Sequence, residues 1–366
     1  MGVISFARGV PAPECLPVSE LADCARAAIE RDGPSVLSYG PGGGYAPLRE
    51  WIAARHGVEP SRVVVTSGSL QGFVFLVEQL VKPGSRVLVE APTYDRPLKI
   101  LNRLGAEIVG LPMDDDGLQV DALERALAHG KKPAFLYTIA TFQNPSGRTL
   151  STERRKRIAE LAREHELLVL EDDPYGLVRY EGEAPPTIFE LEGGTNVAYA
   201  SSFSKTIAPG VRVGYFVLPP ALAAQIEALA VSTYISPPFL TQAAVYEFVS
   251  RGLFEPNLAR VTGLLGARRD AMLAALEEHM PEGATWSRPE GGYFIWLDLP
   301  HEAGDLLARA EAAGVTFVQG TDFFADGSGT RSLRLAFSFV SVDEIAEGVA
   351  RLAGLLRGAP APASTL

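Results

Sequence analysis

Lys205 stands in a run of small and hydroxyl-bearing residues, Ser201-Ser202-Phe203-Ser204-Lys205-Thr206-Ile207-Ala208-Pro209-Gly210-Val211-Arg212-Val213-Gly214. A lysine held near anion-binding groups can form a Schiff base with an aldehyde, because partial desolvation lowers its pKa and frees the amine lone pair. The serines and Arg212 suit a phosphate, the arginine through forked, charge-assisted hydrogen bonds. Isolated, a Ser-x-Lys is a strand-to-loop turn with a solvated lysine. The other chemistry-bearing stretches decide between the two readings.

Val63-Val64-Val65-Thr66 leads into Ser67-Gly68-Ser69-Leu70-Gln71-Gly72 and an apolar helix through Val81. A strand, a small-residue turn and a helix N-terminus make an anion site from free amides and the helix dipole. A serine cap with no ligand is the plainer reading. Three further strand ends carry polar groups: Pro92-Thr93-Tyr94 an aromatic ring, Gln143-Asn144-Pro145-Ser146-Gly147 an amide, and Glu171-Asp172-Asp173-Pro174-Tyr175 a carboxylate and a phenol. The glycines of Leu37-Ser38-Tyr39-Gly40-Pro41-Gly42-Gly43-Gly44-Tyr45 are not a nucleotide loop. Tyr45 takes the third glycine's place in G-x-G-x-x-G, and no lysine follows as in a P-loop.

The elements that must position these groups alternate. Apolar runs at Val87–Val89, Ala106–Gly110, Ala134–Tyr137, Leu167–Leu170 and Asn196–Ala200 read as strands. Between them, helices are expected over Pro97–Leu104, Val120–Ala128 and Ser151–Glu164. Such alternation with short connections predicts an α/β fold, a mostly parallel sheet sandwiched by helices, with ligands at the carboxyl ends of its strands. A helix is read from Val18 to Glu30, another over Pro47–His56, and a long one from Arg251 to His279. Strands at Phe294–Leu297 and Ser332–Phe337, with helices over Gly304–Ala313 and Val342–Leu356, read as a smaller α+β domain. The division expected is 1–35, an arm and helix packed with the small domain at the mouth of the site; 36–270, the large domain; and 271–366, the small domain. Residues 358–366 read as a frayed tail.

Composition narrows the function. Lys and Arg number 33 against 44 for Asp and Glu, a formal net charge of -11 that argues against nucleic acid. The two cysteines, Cys15 and Cys24, have no metal-ligand spacing, and no metal is expected. No basic region with an apolar core opens the chain and no apolar run is long enough to cross a bilayer, so a reducing cytoplasm and no membrane partner are expected.

Taken together, Tyr39-Gly40-Pro41, Glu171-Asp172-Asp173-Pro174-Tyr175, Ser202-Phe203-Ser204-Lys205 and the loops between them resemble the fold type I pyridoxal-phosphate aminotransferases, class I/II. The resemblance runs from Phe6 to about Leu356 and is fullest with the 2-aminoadipate, kynurenine and aromatic aminotransferases. It implies a sheet of the seven-stranded type and pyridoxal 5'-phosphate as cofactor. Lys205 would hold that cofactor as an aldimine and shuttle the proton; Asp172 would pair with the ring nitrogen. Tyr175 and Asn144 would bond the ring hydroxyl, and Tyr94 would stack on the ring. The phosphate would sit on Ser69, the amide of Leu70, Ser202, Ser204 and Arg212, with Tyr39 reaching it across a homodimer interface. Leu70 stands where the family often has glutamine, which leaves only its backbone. Arg334 would grip the substrate carboxylate, with Asn144, Tyr39 and Gly9 also at the substrate; Arg331 would be a surface charge. Asp173 reads as a helix-entry carboxylate, and Gly291-Gly292-Tyr293-Phe294 as a tight turn beside the substrate.

The implied reaction is ping-pong exchange of an amino group between an L-amino acid (aromatic, large aliphatic or 2-aminoadipate-like) and a 2-oxo acid such as 2-oxoglutarate. A same-fold lyase, decarboxylase, cyclase or oxidase would use the same residues, because the cofactor supplies the electron sink. A non-catalytic effector module would have no need of them. Side-chain selection falls on Arg8-Gly9-Val10-Pro11, Tyr39 and Ile235-Ser236-Pro237, where Arg8 either pairs with an acidic side chain or is a solvated arm residue.

Overall fold

The structure, a computed structural model, describes residues 2–357, so the tail expected over 358–366 lies outside the described residues. A two-residue strand, β1 (Ile4–Ser5), opens the arm. Then β2 (Val63–Thr66), β3 (Arg86–Ala91), β4 (Glu107–Asp114), β5 (Gly117–Leu118), β6 (Phe135–Thr138), β7 (Val169–Asp172), β8 (Val197–Ser202) and β9 (Gly214–Val217) form one sheet in the order β2-β9-β8-β7-β6-β3-β4-β5. Neighbours among β3, β4, β6, β7 and β8 pair in parallel. β9 runs antiparallel to β2 and β8, and β5 turns back on β4. The sheet therefore has eight strands rather than the seven expected. The extra one, Gly117–Leu118, is too short to stand out as an apolar run.

Side chains alternate across a strand, so each apolar run serves two cores. Val64, Val87, Val89, Leu170 and Ala198 bury against α3 (Ser69–Leu80), α4 (Asp95–Arg103) and α8 (Pro220–Tyr234). Val63, Val65, Leu88, Leu136, Val169 and Val197 face the other way. They meet α1 (Val18–Val36), α2 (Ala46–His56), α5 (Val120–Ala128), α6 (Thr152–Glu164), α7 (Ile188–Glu192) and α9 (Phe239–Ser250). Each fully buried Val or Leu contributes about 1.5–3 kcal/mol. That is what holds the strand ends rigid enough to carry a site.

β10 (Thr285–Trp286), β11 (Phe294–Asp298), β13 (Val318–Gln319) and β14 (Ser332–Ala336) form a second, antiparallel sheet, in the order β10-β11-β14-β13. The strand between them in sequence, β12 (Val315–Thr316), pairs in parallel with β1 of the arm. α11 (Leu306–Ala312) and α12 (Val342–Arg357) cover this core, which takes in Ile4 and Phe6. The bridge is α10 (Phe254–His279): Phe254 sits in the large core, Val261 and Leu265 beneath the site, Met272 and Leu276 in the small core. Among the described residues no helix is long and apolar enough to cross a membrane.

Several expectations change. α1 runs to Val36 and not to Glu30; a break at Asp32 (φ -141°, ψ 33°) lets it take up Pro34. Its Cys24, Ala28 and Val36 pack in the large core with α9, while Ile4 and Phe6 join the small one. Residues 1–35 thus do not pack as one piece with the small domain. The long helix begins at Phe254, not Arg251, and α9 before it was not expected. α9 buries Phe239, Ala243, Val245, Phe248 and Val249 on several sides, so no 3.6-residue stripe marks it.

Candidate active site

Lys205 follows β8 in the turn that leads to β9. Its Nζ donates to the carbonyl of Gly9 on the arm at 2.6 Å and lies 5.6 Å and 5.1 Å from the ring centres of Tyr175 and Tyr293. Burial, and after it the charges of Arg334 and Arg212, lower its pKa to about 8. An ammonium that gives up its proton so readily is a usable base and nucleophile near neutral pH. Backbone grips hold the lysine in place: the Tyr293 hydroxyl donates to the Lys205 carbonyl (3.0 Å), and Asn257 Nδ2 of α10 to that of Thr206 (2.7 Å).

Asp172 ends β7, one strand over. Tyr137 on β6 donates its hydroxyl to Asp172 Oδ2 at 2.8 Å, while Oδ1 is buried with no partner. Burial pushes the carboxyl up to about 7, the Tyr137 bond pulls it down, and Asp173 adds a smaller upward push. Asp173 does not enter a helix as expected. It accepts the Gly176 amide (2.8 Å) and the Tyr199 hydroxyl (2.9 Å), closing a turn that carries Tyr175. Tyr175 is 4% exposed, and burial holds its hydroxyl protonated.

An anion cradle lies at the N-terminus of α3. Gly68 (φ +81°) caps it without a side chain, leaving Ser69 and Leu70 at the open end. β9 comes close here because Gly214 has no side chain: a Cβ on it would lie 2.4 Å from the Ser69 nitrogen. Arg212, in the left-handed region at φ +50°, reaches over to donate to the Ser67 carbonyl at 3.0 Å. The Ser202 hydroxyl accepts the Ser204 amide at 3.1 Å. Ser69, Leu70, Tyr94, Asn144, Asp172, Tyr175, Ser202, Ser204, Lys205 and Arg212 all line one cavity of about 250 Å³.

Arg334 of β14 comes to the edge of this cavity from the small sheet. Nη1 donates to Asn144 Oδ1 and Nη2 to the Ala7 carbonyl, both at 2.9 Å, and buried Nε has no partner. Its guanidinium lies over the rings of Phe294 (4.3 Å) and Phe323 (5.1 Å). A planar cation with a donor to spare, stacked between aromatic faces, is suited to hold a carboxylate. Arg331 is exposed, its Nε spent on the Leu299 carbonyl. Arg8 stacks on Phe339 at 3.9 Å. Tyr39, by contrast, is 79% exposed and does not line the cavity of its own chain.

Sequence reasoning passed over Glu90 of β3, which fixes the Asn144 loop. It is 1% exposed and accepts from Thr138 Oγ1 (2.5 Å), the Ile139 amide (3.1 Å) and Gln143 Nε2 (2.9 Å). Burial raises its pKa to about 7 against those bonds. Because the folded-state pKa lies above the unfolded one, its contribution to stability is complete below pH 4.5 and is lost as pH rises through 7. Glu90→Gln can satisfy the same partners with its carbonyl toward Ile139 and Gln143 and its amide toward Thr138. Its unfolding free energy, read by urea titration, should therefore vary less between pH 4.5 and 7 than that of the unaltered protein, by roughly 3 kcal/mol at most. An equally steep decline in the variant would show that folding does not raise the pKa of Glu90. Tyr137 and Asn257 were missed as well, and Tyr293 was read only as part of the turn beside the substrate, without its bond to the Lys205 carbonyl.

Chemically, the arrangement offers a buried amine base, a cradle for a phosphate, a carboxylate with one oxygen unspent and a guanidinium for a carboxylate. A model of the family described as aminotransferase class I and II matches residues 4–352. The chain is 37% identical to aromatic-amino-acid aminotransferase 1 of Thermococcus litoralis, over 97% of this chain and 88% of that protein. To 2-aminoadipate transaminase of Thermus thermophilus it is 38% identical, over 98% and 91%. The crystal structure of Pyrococcus horikoshii kynurenine aminotransferase, in complex with PMP, KYN and KYA, superposes with a TM-score of 0.94 at 38% identity, covering 98% of this chain and 91% of that one.

Proposed function

Because the chain belongs to the aminotransferase class I and II family and is a pyridoxal-phosphate-dependent transaminase of amino acids and 2-oxo acids, we propose that its site is the one assembled around Lys205. The observation that carries this reading is the convergence of Lys205, Asp172 and the Arg212 cradle on one cavity, with Arg334 bonded to Asn144 at its edge. The residues present fit the cofactor: Asp172 has an unpartnered buried oxygen for a ring N–H, and the open end of α3 suits a phosphate.

When bound, pyridoxal phosphate supplies the electron sink that lets the bond to the α-hydrogen break. Lys205 Nζ, in part unprotonated near neutral pH, would take that proton from the α-carbon and deliver it to the cofactor's C4′ carbon. Asp172 would accept from the ring nitrogen, with Tyr175 and Asn144 at the ring hydroxyl and Tyr94 beside the ring. Ser69, the Leu70 amide, Ser202, Ser204 and Arg212 would hold the phosphate. Arg334 grips the substrate carboxylate, displacing the Ala7 carbonyl, and Gly9 lies beside the bound amino acid.

Aromatic, large aliphatic or 2-aminoadipate-like amino acids are the proposed donors, with 2-oxoglutarate as acceptor. The rings of Phe294, Phe323 and Phe339 around Arg334 and the arm support this, as do the activities that the relatives' names give. The test is a visible absorption titration. The yellow protein should bleach with an aromatic amino acid and recover with 2-oxoglutarate. Release of carbon dioxide or ammonia without that recovery would move the reading to a lyase or oxidase.

Tyr39, exposed on its own chain beside exposed Leu37, supports a homodimer in which it reaches the partner's phosphate. Two unpaired thiols, Cys15 and Cys24, support a cytoplasmic setting. The protein should sediment at twice its 39.1 kDa chain mass. Tyr39→Phe should retain cofactor about tenfold less tightly, the worth of one charge-assisted bond. A monomer that binds cofactor fully would refute the shared site.

A further inference from the structure

Tyr137 belongs to none of the motifs that mark the site. Its ring is fully buried on β6, edge-on to Phe73 with centroids 5.4 Å apart. From there the hydroxyl crosses to the neighbouring strand and donates to Asp172 Oδ2. One carboxylate oxygen is tethered and the other, Oδ1, is left buried and unpartnered on a side chain that lines the cavity. We propose that Tyr137 is a positioning residue for the cofactor, holding Asp172 ionised and oriented so that Oδ1 meets the ring nitrogen. This rests on the pairing of Asp172 with that nitrogen proposed above.

The physical need is specific. A carboxylate without a cation beside it is driven toward its neutral form by burial, and Asp173 on the same strand end drives it the same way. Tyr94 and Tyr175 flank it as phenols that burial keeps neutral, and Glu90 faces Tyr137 from β3. The Tyr137 hydroxyl is the group that acts in the opposite direction. It stays a donor at working pH, because burial and the charge of Asp172 push its own pKa well up. Without it Oδ2 would be a buried acceptor with no donor, and the carboxyl would take up a proton. A neutral carboxyl lacks the charge that keeps the ring nitrogen protonated.

The test measures binding rather than turnover. Pyridoxamine phosphate, which forms no covalent link to Lys205, is compared with its carbocyclic analogue, in which C–H replaces the ring nitrogen. Tyr137→Phe is expected to weaken binding of the first about tenfold and to leave the second within about twofold. Equal weakening of both, the mark of a merely structural role, would overturn the proposal, as would no weakening of either. Asp172→Asn separates the two levels of the argument. If it discriminates between the ligands and Tyr137→Phe does not, only the proposal fails; if Asp172→Asn does not discriminate, the pairing of Asp172 fails with it. Should the phenylalanine variant not fold, 4-aminophenylalanine at position 137 offers a weaker donor of nearly the same shape. It should move the 15N resonance of the labelled ring nitrogen toward the unprotonated value, and an unmoved resonance would overturn the proposal.

Discussion

Lys205→Ala should lose transamination by at least about 10⁴-fold, since it removes both the covalent anchor and the general base in one step. No other amine can stand in. The remaining lysines, Lys82, Lys99, Lys131, Lys132 and Lys156, are all exposed on the surface. The truncation should cost little in folding, because the Lys205 carbonyl keeps its bond from Tyr293 and the Gly9 carbonyl merely loses a donor at the cavity. The variant should therefore still bind the cofactor weakly through the Arg212 cradle, without the yellow band. Turnover of an aromatic amino acid with 2-oxoglutarate reads the effect. Activity within tenfold of the unaltered enzyme would sink the assignment of the site.

The second large effect is at Arg334. Arg334→Leu should cut kcat/KM by about 10²–10³-fold through a higher KM, since breaking a buried charge pair costs about 3–5 kcal/mol and part of that is recovered by water. Arg334→Lys should recover little. An ammonium offers no planar fork for a carboxylate, and it would leave Asn144 Oδ1 or the Ala7 carbonyl without the donor each now has. A decarboxylated substrate such as an arylalkylamine provides the control. Its slow turnover, if any, should be insensitive to either change. An unchanged KM for the amino acid would place carboxylate recognition elsewhere.

What the chain discloses before folding follows from how far each interaction reaches along it. The alternation of strand and helix was readable because each buried strand is a contiguous apolar run with a short connection on either side. α9 was not, since a helix buried on several sides has no stripe, and neither was α7, five residues opened by a Thr187–Glu190 capping box. The lining of the candidate cavity was readable where it is written in contiguous pieces: the Lys205 turn, the Asp172–Tyr175 turn and the α3 entry. It was not readable where a side chain's partner is remote in sequence. Tyr137 meets Asp172 across 35 residues, Asn257 meets Thr206 across 51, and Tyr293 meets Lys205 across 88. Before folding, Tyr137 is one more ring in the apolar run Phe135-Leu136-Tyr137, with nothing to distinguish its hydroxyl. Tyr39 is the opposite case: the motif around it is visible, yet one chain gives it no partner in the site.

The pairing of β1 with β12 also sets an order of events on the ribosome. Residues 4–5 are synthesised about 310 residues before residues 315–316, so at about 5–20 residues per second the arm waits roughly 15–60 s for its partner strand. By then every strand of the eight-stranded sheet has long been made. The carbonyls of Ala7 and Gly9 can reach Arg334 and Lys205 only once that strand exists to hold the arm. Until β12 is made, the arm has no strand to hold its Gly9 carbonyl against Lys205.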